Sequence, residues 1–186
     1  MELNGRDVVR IARALEVAPI VFCSHRQAQG RQAIRLDGGL PNHVLVLKRR
    51  EAVGDPDSAR RPCLFLQTLA SHRKICGLDA LAPALCQLFP VQVPEPGASE
   101  AIPLYSGEGC WRPWKATEVE PTHEAALLAQ YQQEHRRWLE VVNGWNALAA
   151  AAPRGYDFEA FLDYLMNAYA EDRAPGVFVA EALAHG

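Results

Sequence analysis

The residues with the clearest chemical potential are five cysteines between positions 23 and 110: Cys23, Cys63, Cys76, Cys86 and Cys110. Two of them frame the stretch CGLDALAPALC, in which Pro83 stands three residues before Cys86 and is placed to start a short helical turn. Thiols can fill a core, form a disulfide, act as a redox couple or bind a metal ion. Spacing alone does not separate these roles, so the surrounding sequence has to be considered.

Composition narrows the range of partners. Charged residues make up 22% of the 186-residue chain and the formal net charge is -3, which gives no electrostatic reason to expect nucleic acid or an anionic membrane. The N-terminal stretch MELNGRDVVRIARALEV has no uninterrupted apolar run, so it is neither a secretion signal nor a membrane span. These features predict a cytoplasmic protein, in which cysteines stay reduced and serve packing, metal binding or redox chemistry.

Helical periodicity predicts helices near both ends of the chain. The first has Asn4 as its N-cap and Asp7 in its first turn. A second, shorter helix is predicted to open at Pro19, carry Cys23 towards the core and end at about Gly30. A long helix follows Pro121 and ends before residue 153, and a last helix is capped by Asp157. The apolar face of the long helix carries Leu127, Tyr131, Trp138, Val142, Trp145 and Ala149.

Short apolar runs between the helices predict a small β region. The runs AIRL and HVLVLKRR flank the turn Asp37-Gly38-Gly39 and indicate a hairpin. The runs CLFL and LFPVQV suit strands or extended knuckles, whereas residues 93–114 are rich in proline, glycine and aromatic residues and predict an irregular segment. The expected fold is α+β and mainly helical, a single domain with a small strand and knuckle cysteine region and a long C-terminal helix. Residues 1–152 would form the cysteine-cluster domain, and residues 153–186 a C-terminal helical extension packed on it.

Four of the cysteines are candidates for one metal site. Cys63, Cys76, Cys86 and Cys110 all lie in or next to predicted turns and loops that bear glycine or proline, where a backbone can wrap around an ion. Four thiolates would suit zinc or an iron–sulfur cluster equally well. The sequence contains no CxxC pair, and four independent core cysteines explain the pattern as well as a metal site does.

Histidines could add ligands to such a metal site. His25, His43 and His72 each lie near a cysteine or on a strand and could in principle approach a metal ion. A histidine in a polar segment such as SHRK is more often solvated, so the four thiols are the better ligand set.

Several segments in order resemble the YkgJ-type cysteine-cluster family, a group of proposed zinc- or iron-chelating proteins that share a cysteine pattern with the flagellin lysine N-methylases. The segments are LNGRDVVRIARALEV, PCLFL, CGLDALAPALCQLFP and GEGCW, and Trp145-Asn146 matches a WN pair near the end of the family's last helix. The resemblance runs from about residue 3 to residue 146. It implies that Cys63, Cys76, Cys86 and Cys110 are metal ligands and that Cys23 is not.

The chain departs from the family pattern in two respects. The family's CxxCxxCC cluster precedes the first helix, and no cysteine lies before Cys23 here. Ala82 and Gln87 stand where the family has arginines. We therefore expect either that upstream coding sequence contains the missing cysteines or that a partner chain compensates for them.

Two other functional classes stay open. A metal-free interaction protein could contact a protein partner through Trp111 and Trp114 or through the long helix, because exposed aromatic residues are typical interface anchors. An accessory or catalytic protein related to the flagellin methylases is the other alternative. The sequence contains no GxSxG, HExxH, Walker or GxGxxG motif, so nothing in it indicates an enzyme of those classes.

Overall fold

The computed structural model describes residues 2–30, 32–50, 62–72, 74–91, 93, 120–152 and 154–170. Their fold is α+β and mainly helical, as predicted. In chain order the elements are α1 (Gly5–Leu15), a 3-10 turn (Pro19–Val21), β1 (Cys23–Gln27), β2 (His43–Leu47), β3 (Leu66–Thr68), β4 (Lys74–Cys76), a 3-10 turn (Asp79–Leu81), α2 (Ala84–Leu88), α3 (Pro121–Ala151) and α4 (Phe158–Ala168).

Helix α1 begins at a reciprocal cap. The side chain of Asn4 accepts a hydrogen bond from the backbone N–H of Asp7 (2.9 Å), and the Asp7 carboxylate accepts one from the backbone N–H of Asn4 (3.4 Å). The predicted start of the helix is therefore confirmed. Val8 and Ile11 are fully buried on its inner face.

The predicted second helix is wrong beyond its first turn. The chain forms a 3-10 turn over Pro19–Val21 and then strand β1, which pairs antiparallel with β2 so that Cys23 lies opposite Leu47. Cys23 does face the core, as predicted, with no exposed surface. The strand forms because a partner from 20 residues further along the chain completes its hydrogen bonds, which is a non-local effect that local periodicity does not reveal.

The predicted hairpin around Asp37 is confirmed only as a single antiparallel bridge. Ile34 of the AIRL run lies opposite His43, the first residue of β2, and each N–H of the pair donates to the carbonyl of the other (2.7 and 3.2 Å). The longer pairing of β2 is with β1. The other edge of this run is bound by α3. The amide of Asn146 accepts from the N–H of Arg35 (2.7 Å) and donates to the carbonyl of Ala33 (2.9 Å), and Trp145 Nε1 donates to the carbonyl of Arg35 (2.7 Å). The Trp145-Asn146 pair thus replaces a neighbouring strand.

The cysteine region consists of a second hairpin and a short helix. β3 and β4 pair antiparallel, with Leu66 opposite Cys76. The run CLFL forms a turn that leads into β3, and Leu88 of the run LFPVQV ends helix α2. Pro83 precedes the first residue of α2, so the prediction that it starts a helical turn is confirmed.

One hydrophobic core unites α1, the β1–β2 sheet, α3 and α4. Its largest side chains are Trp138 and Trp145 of α3, which are 1% and 2% exposed. Tyr131 is partly buried, so the expectation that these three aromatic residues of α3 pack inward is confirmed. Helix α4 begins at its predicted cap, because the Asp157 carboxylate accepts from the N–H of Ala160 (2.8 Å). The division into residues 1–152 and 153–186 stays a prediction.

Candidate metal centre

Cys63 opens the turn that leads into β3. Its carbonyl accepts from the N–H of Leu66 (3.0 Å), and its backbone forms an isolated bridge with Arg49. The N–H of Leu64 also donates to the carbonyl of Lys48 (3.0 Å), which ties the turn to the chain just beyond β2. The half-buried Cys63 side chain is therefore fixed to the main sheet by its own backbone.

Cys76 is the last residue of β4 and lies opposite Leu66, the residue at which the turn from Cys63 ends. The N–H of Gly77 donates to the carbonyl of Phe65 (2.8 Å), which closes the hairpin at this point. A Cβ atom at position 77 would lie 3.1 Å from the carbonyl oxygen of Phe65 and 2.5 Å from Gln67 Nε2, so glycine permits this close approach. We call the turn from Cys63 to Leu66, together with Cys76 opposite Leu66, the knuckle. The Cys76 side chain is exposed.

Cys86 lies on a separate element, helix α2, where its backbone N–H donates to the carbonyl of Pro83 (2.8 Å). Burial first, and then the negative charges of Cys76 and Cys63 in their thiolate forms, raise the pKa of the Cys86 thiol to about 12. The charges of Cys63 and Cys76 therefore act on a third predicted ligand that belongs to a different element.

A bound cation would be needed to hold these thiols together as thiolates. Thiolates that approach one another repel, and a bound metal ion reverses that repulsion because it is the largest local charge of opposite sign. The four cysteines in the described ranges are all free thiols, as metal ligation requires. Within those ranges, no group of three or more histidine, cysteine, aspartate or glutamate side chains is arranged so as to hold a metal ion. The fourth predicted ligand, Cys110, lies outside the described residues, as do Trp111 and Trp114.

The remaining sulfur and imidazole groups lie elsewhere. Cys23 is part of the hydrophobic core, and burial raises the pKa of its thiol. His72 is exposed in the turn that follows β3, with a φ of 62°. The His25 ring packs against His43, with ring centroids 4.8 Å apart, and against Phe158 at 4.7 Å.

Two residues of α1 contact the cysteine region: Asp7, which the sequence placed only in the first turn of the helix, and Arg10, which the sequence did not single out. Asp7 Oδ1 accepts from the N–H of Ala84, the first residue of α2 (3.0 Å), and Arg10 Nη2 donates to the carbonyl of Ala82 (2.7 Å). Asp7 is 3% exposed, and burial raises its pKa in spite of these hydrogen bonds and the nearby Arg10. The only signal in the sequence is a charged residue on the inner face of an otherwise apolar stripe.

A small cleft lies beside this contact, between α1, α2 and α3. Its volume of about 40 Å³ admits a few water molecules. It is lined by Asn4, Arg6, Asp7, Arg10, Ala84, Gln87, Leu127, Gln130, Tyr131 and Glu134. The cleft is polar, and none of the cysteines lines it.

Comparison with known proteins finds no family model, no curated protein and no solved structure that matches the chain. The resemblance to the cysteine-cluster family therefore rests on the quoted segments. None of the helices in the described ranges combines the length and apolarity needed to cross a membrane.

We expect stability to fall as pH drops from 7 towards 5, in part through His25. Partial burial under Phe158 and the neighbouring His43 lower the pKa of His25 below its ordinary value of 6.5, and burial does the same for His135. A group that binds its proton less readily in the folded state supports folding fully above pH 6.5 and progressively loses that contribution below it. The effect is small because both rings are partly solvated.

The measurement is the urea midpoint at pH 7 and pH 5 for the wild type and for His25→Gln, with His72→Gln as an exposed control. His25→Gln is expected to reduce the difference between the two midpoints, and His72→Gln to leave it unchanged. If the difference between the midpoints at pH 7 and pH 5 were the same in His25→Gln as in the wild type, the His25 ring would make no contribution to the pH dependence of stability.

Proposed function

We propose that this chain is a metal-binding protein that holds zinc or an iron–sulfur cluster through Cys63, Cys76, Cys86 and Cys110. The observation that supports the proposal is the placement of Cys63 and Cys76 at the base of one hairpin, where Cys76 lies opposite Leu66, the last residue of the turn that Cys63 opens. Cys86 follows on α2, and the charges of both thiols contribute, after burial, to the raised pKa of its own thiol. Cys76 is exposed, so it is not explained as a core cysteine.

The local backbone supports this proposal. Cys63 on a turn and Cys76 on the strand beside it can present two ligands to one ion, and Cys86 on a short helix could add a third. Zn–S bonds of about 2.3 Å place the sulfurs of one site about 3.5 to 4 Å apart. Binding would therefore draw Cys86 and the knuckle together, with Cys110 as the fourth thiolate.

The fuller identity belongs to the same proposal. On the residues that resemble it, the chain would be a divergent member of the YkgJ-type cysteine-cluster family. The free thiols support a cytoplasmic location, because cysteines stay reduced in that compartment. A protein partner would contact the segment that carries Trp111 and Trp114, or the exposed side of α3.

Protein purified without a metal-affinity tag is expected to contain stoichiometric zinc, or iron with the visible absorption of an iron–sulfur cluster. Cys86→Ser should abolish stoichiometric binding, because the three remaining thiolates of Cys63, Cys76 and Cys110 leave the tetrahedral shell incomplete. Cys23→Ala is the matched control, since it removes the cysteine that lies in the core and should keep the metal.

Elemental analysis and Co²⁺ substitution provide the measurements, because the visible bands of Co²⁺ report thiolate ligation. Wild-type protein that stays metal-free after reduction and incubation with Zn²⁺ and with Fe²⁺ and sulfide would contradict the proposal. Full metal content in Cys86→Ser would contradict the role of that ligand.

A further inference from the structure

We propose that Asp7 and Arg10 of α1 are positioning residues that fix the turn before α2 and thereby set the place of Cys86 relative to Cys63 and Cys76. The inference rests on the proposed function for its consequence on metal binding. Its geometric part, that α1 determines the distance between Cys86 and the other two thiols, concerns the protein without metal as well.

The first step is the reach of Arg10. Its guanidinium donates to three successive carbonyl oxygens at the end of the 3-10 turn, those of Ala80 (3.3 Å), Leu81 (3.4 Å) and Ala82 (2.7 Å). Carbonyls at the end of a helical turn lack partners within the turn, and a planar guanidinium with several N–H groups can satisfy more than one of them. Arg10 therefore fixes the point at which the 3-10 turn ends.

The second step is the carboxylate of Asp7. It accepts from the N–H of Ala84, where α2 begins, and from one nitrogen of Arg10 (3.4 Å). One pair of side chains, a single turn apart on α1, thus binds the last carbonyls of one short helix and the first N–H of the next. Pro83 lies between them and has no N–H, so these contacts set the angle at which α2 leaves the turn.

The third step links this angle to the thiol. Cys86 lies two residues after Ala84, and its N–H bonds to the carbonyl of Pro83, so its position follows that of the turn. Gln87 reinforces the same turn, because its Nε2 donates to the carbonyls of Ala82 (2.6 Å) and Ala80 (3.3 Å). Gln87, which stands where the family has an arginine, therefore binds two of the three carbonyls that Arg10 binds.

The fourth step is that the two halves of the thiol group have separate anchors. Cys63 and Cys76 belong to the hairpin, which is tied to the chain after β2 through Lys48 and Arg49. Cys86 is tied to α1. The distance between the halves consequently depends on the contacts of α1 with residues 80–84, and weakening those contacts should separate the thiols without unfolding the hairpin.

The test compares Arg10→Met with Arg13→Met in the full chain. Methionine keeps much of the apolar stem and removes the donors. Arg13 is the matched control because it lies one turn further along α1 and also donates to a backbone carbonyl. That carbonyl belongs to Tyr169 (3.1 Å), at the end of α4 and outside the cysteine region. Asp7→Asn, which keeps the shape of the side chain, is the second test variant.

The first readout needs no metal. Reduced protein treated with a chelator and carrying Cys23→Ala and Cys110→Ala is cross-linked with a short bis-maleimide, and peptides that join Cys86 to Cys63 or Cys76 are quantified by mass spectrometry. We expect the yield to fall several-fold in Arg10→Met and Asp7→Asn and to match the parent in Arg13→Met. The rate of Cys86 alkylation should rise in the same two variants, since that thiol becomes more accessible.

The second readout is the affinity for Zn²⁺ with Cys23 and Cys110 restored. Loss of an outer contact that orients a ligand commonly weakens metal binding about 10- to 100-fold, and we expect Arg10→Met to fall in this range. If the parent binds no Zn²⁺ while cross-linking still falls in Arg10→Met, the positioning role stands and the proposed function fails. Unchanged cross-linking in Arg10→Met and Asp7→Asn, or an equal fall in Arg13→Met, would overturn the positioning role whatever the metal result.

Discussion

Trp145→Ala is expected to lower the free energy of unfolding by about 3–5 kcal/mol, the usual cost of truncating a large buried aromatic side chain. Trp145 is 2% exposed, and its ring meets those of Tyr156, Phe161 and Tyr164 at centroid distances of 5.0, 5.2 and 5.5 Å. Removing the ring leaves a cavity where α3, α4 and the segment before α4 join. It also leaves the carbonyl of Arg35 without the Nε1 donor.

Two variants separate these contributions. Trp145→Phe keeps most of the apolar contact and loses the hydrogen bond, so we expect a cost of about 1–2 kcal/mol. Leu148→Ala changes an apolar side chain on the same helix that is 47% exposed, and should cost less than about 1 kcal/mol. Urea denaturation followed by circular dichroism measures all three. If Trp145→Ala lowered the free energy of unfolding by less than Leu148→Ala does, α4 would not pack on the Trp145 ring.

Asp7→Ala is expected to cost about 2–4 kcal/mol, more than an ordinary helix cap, because it leaves buried donors without an acceptor. The carboxylate accepts from the N–H groups of Asn4 and Ala84 and from Arg10, and it is 3% exposed. Alanine would remove half of the reciprocal cap of α1 and the contact of α1 with α2 in the same step.

Asp157→Ala provides the comparison. Asp157 caps α4 through one hydrogen bond to Ala160, but its side chain is exposed, so its loss should cost about 1 kcal/mol. Urea denaturation gives the free energy of unfolding that each variant loses. The difference between the two losses measures what the burial of Asp7 and its contact with α2 contribute. Equal costs for Asp7→Ala and Asp157→Ala would show that Asp7 acts as a cap alone.

Residue types and their setting predict part of the candidate metal site. The setting in turns and the family resemblance point to Cys63, Cys76 and Cys86, and Pro83 predicts the turn that carries Cys86. The turn before Cys86 is bound by Arg10 and Asp7, which lie more than 60 residues before Cys76 in the chain. Contacts over such separations leave no periodic trace in the sequence, so the role of these two residues emerges only from the fold. Cys110 stays a prediction.

Local signals in the sequence suffice to place helices α1, α3 and α4 and their first residues. Asn4 and Asp157 bind N–H groups three residues away, and apolar residues recur with the helical period. The partners of the extended segments depend instead on contacts between distant parts of the chain. β1 needed β2 to become a strand rather than a helix, and residues 33–35 pair with His43 through one bridge and are bound on their other edge by Asn146. The physical reason is that a helix satisfies its backbone hydrogen bonds within four residues, whereas an extended segment satisfies them with whatever part of the chain the fold brings beside it.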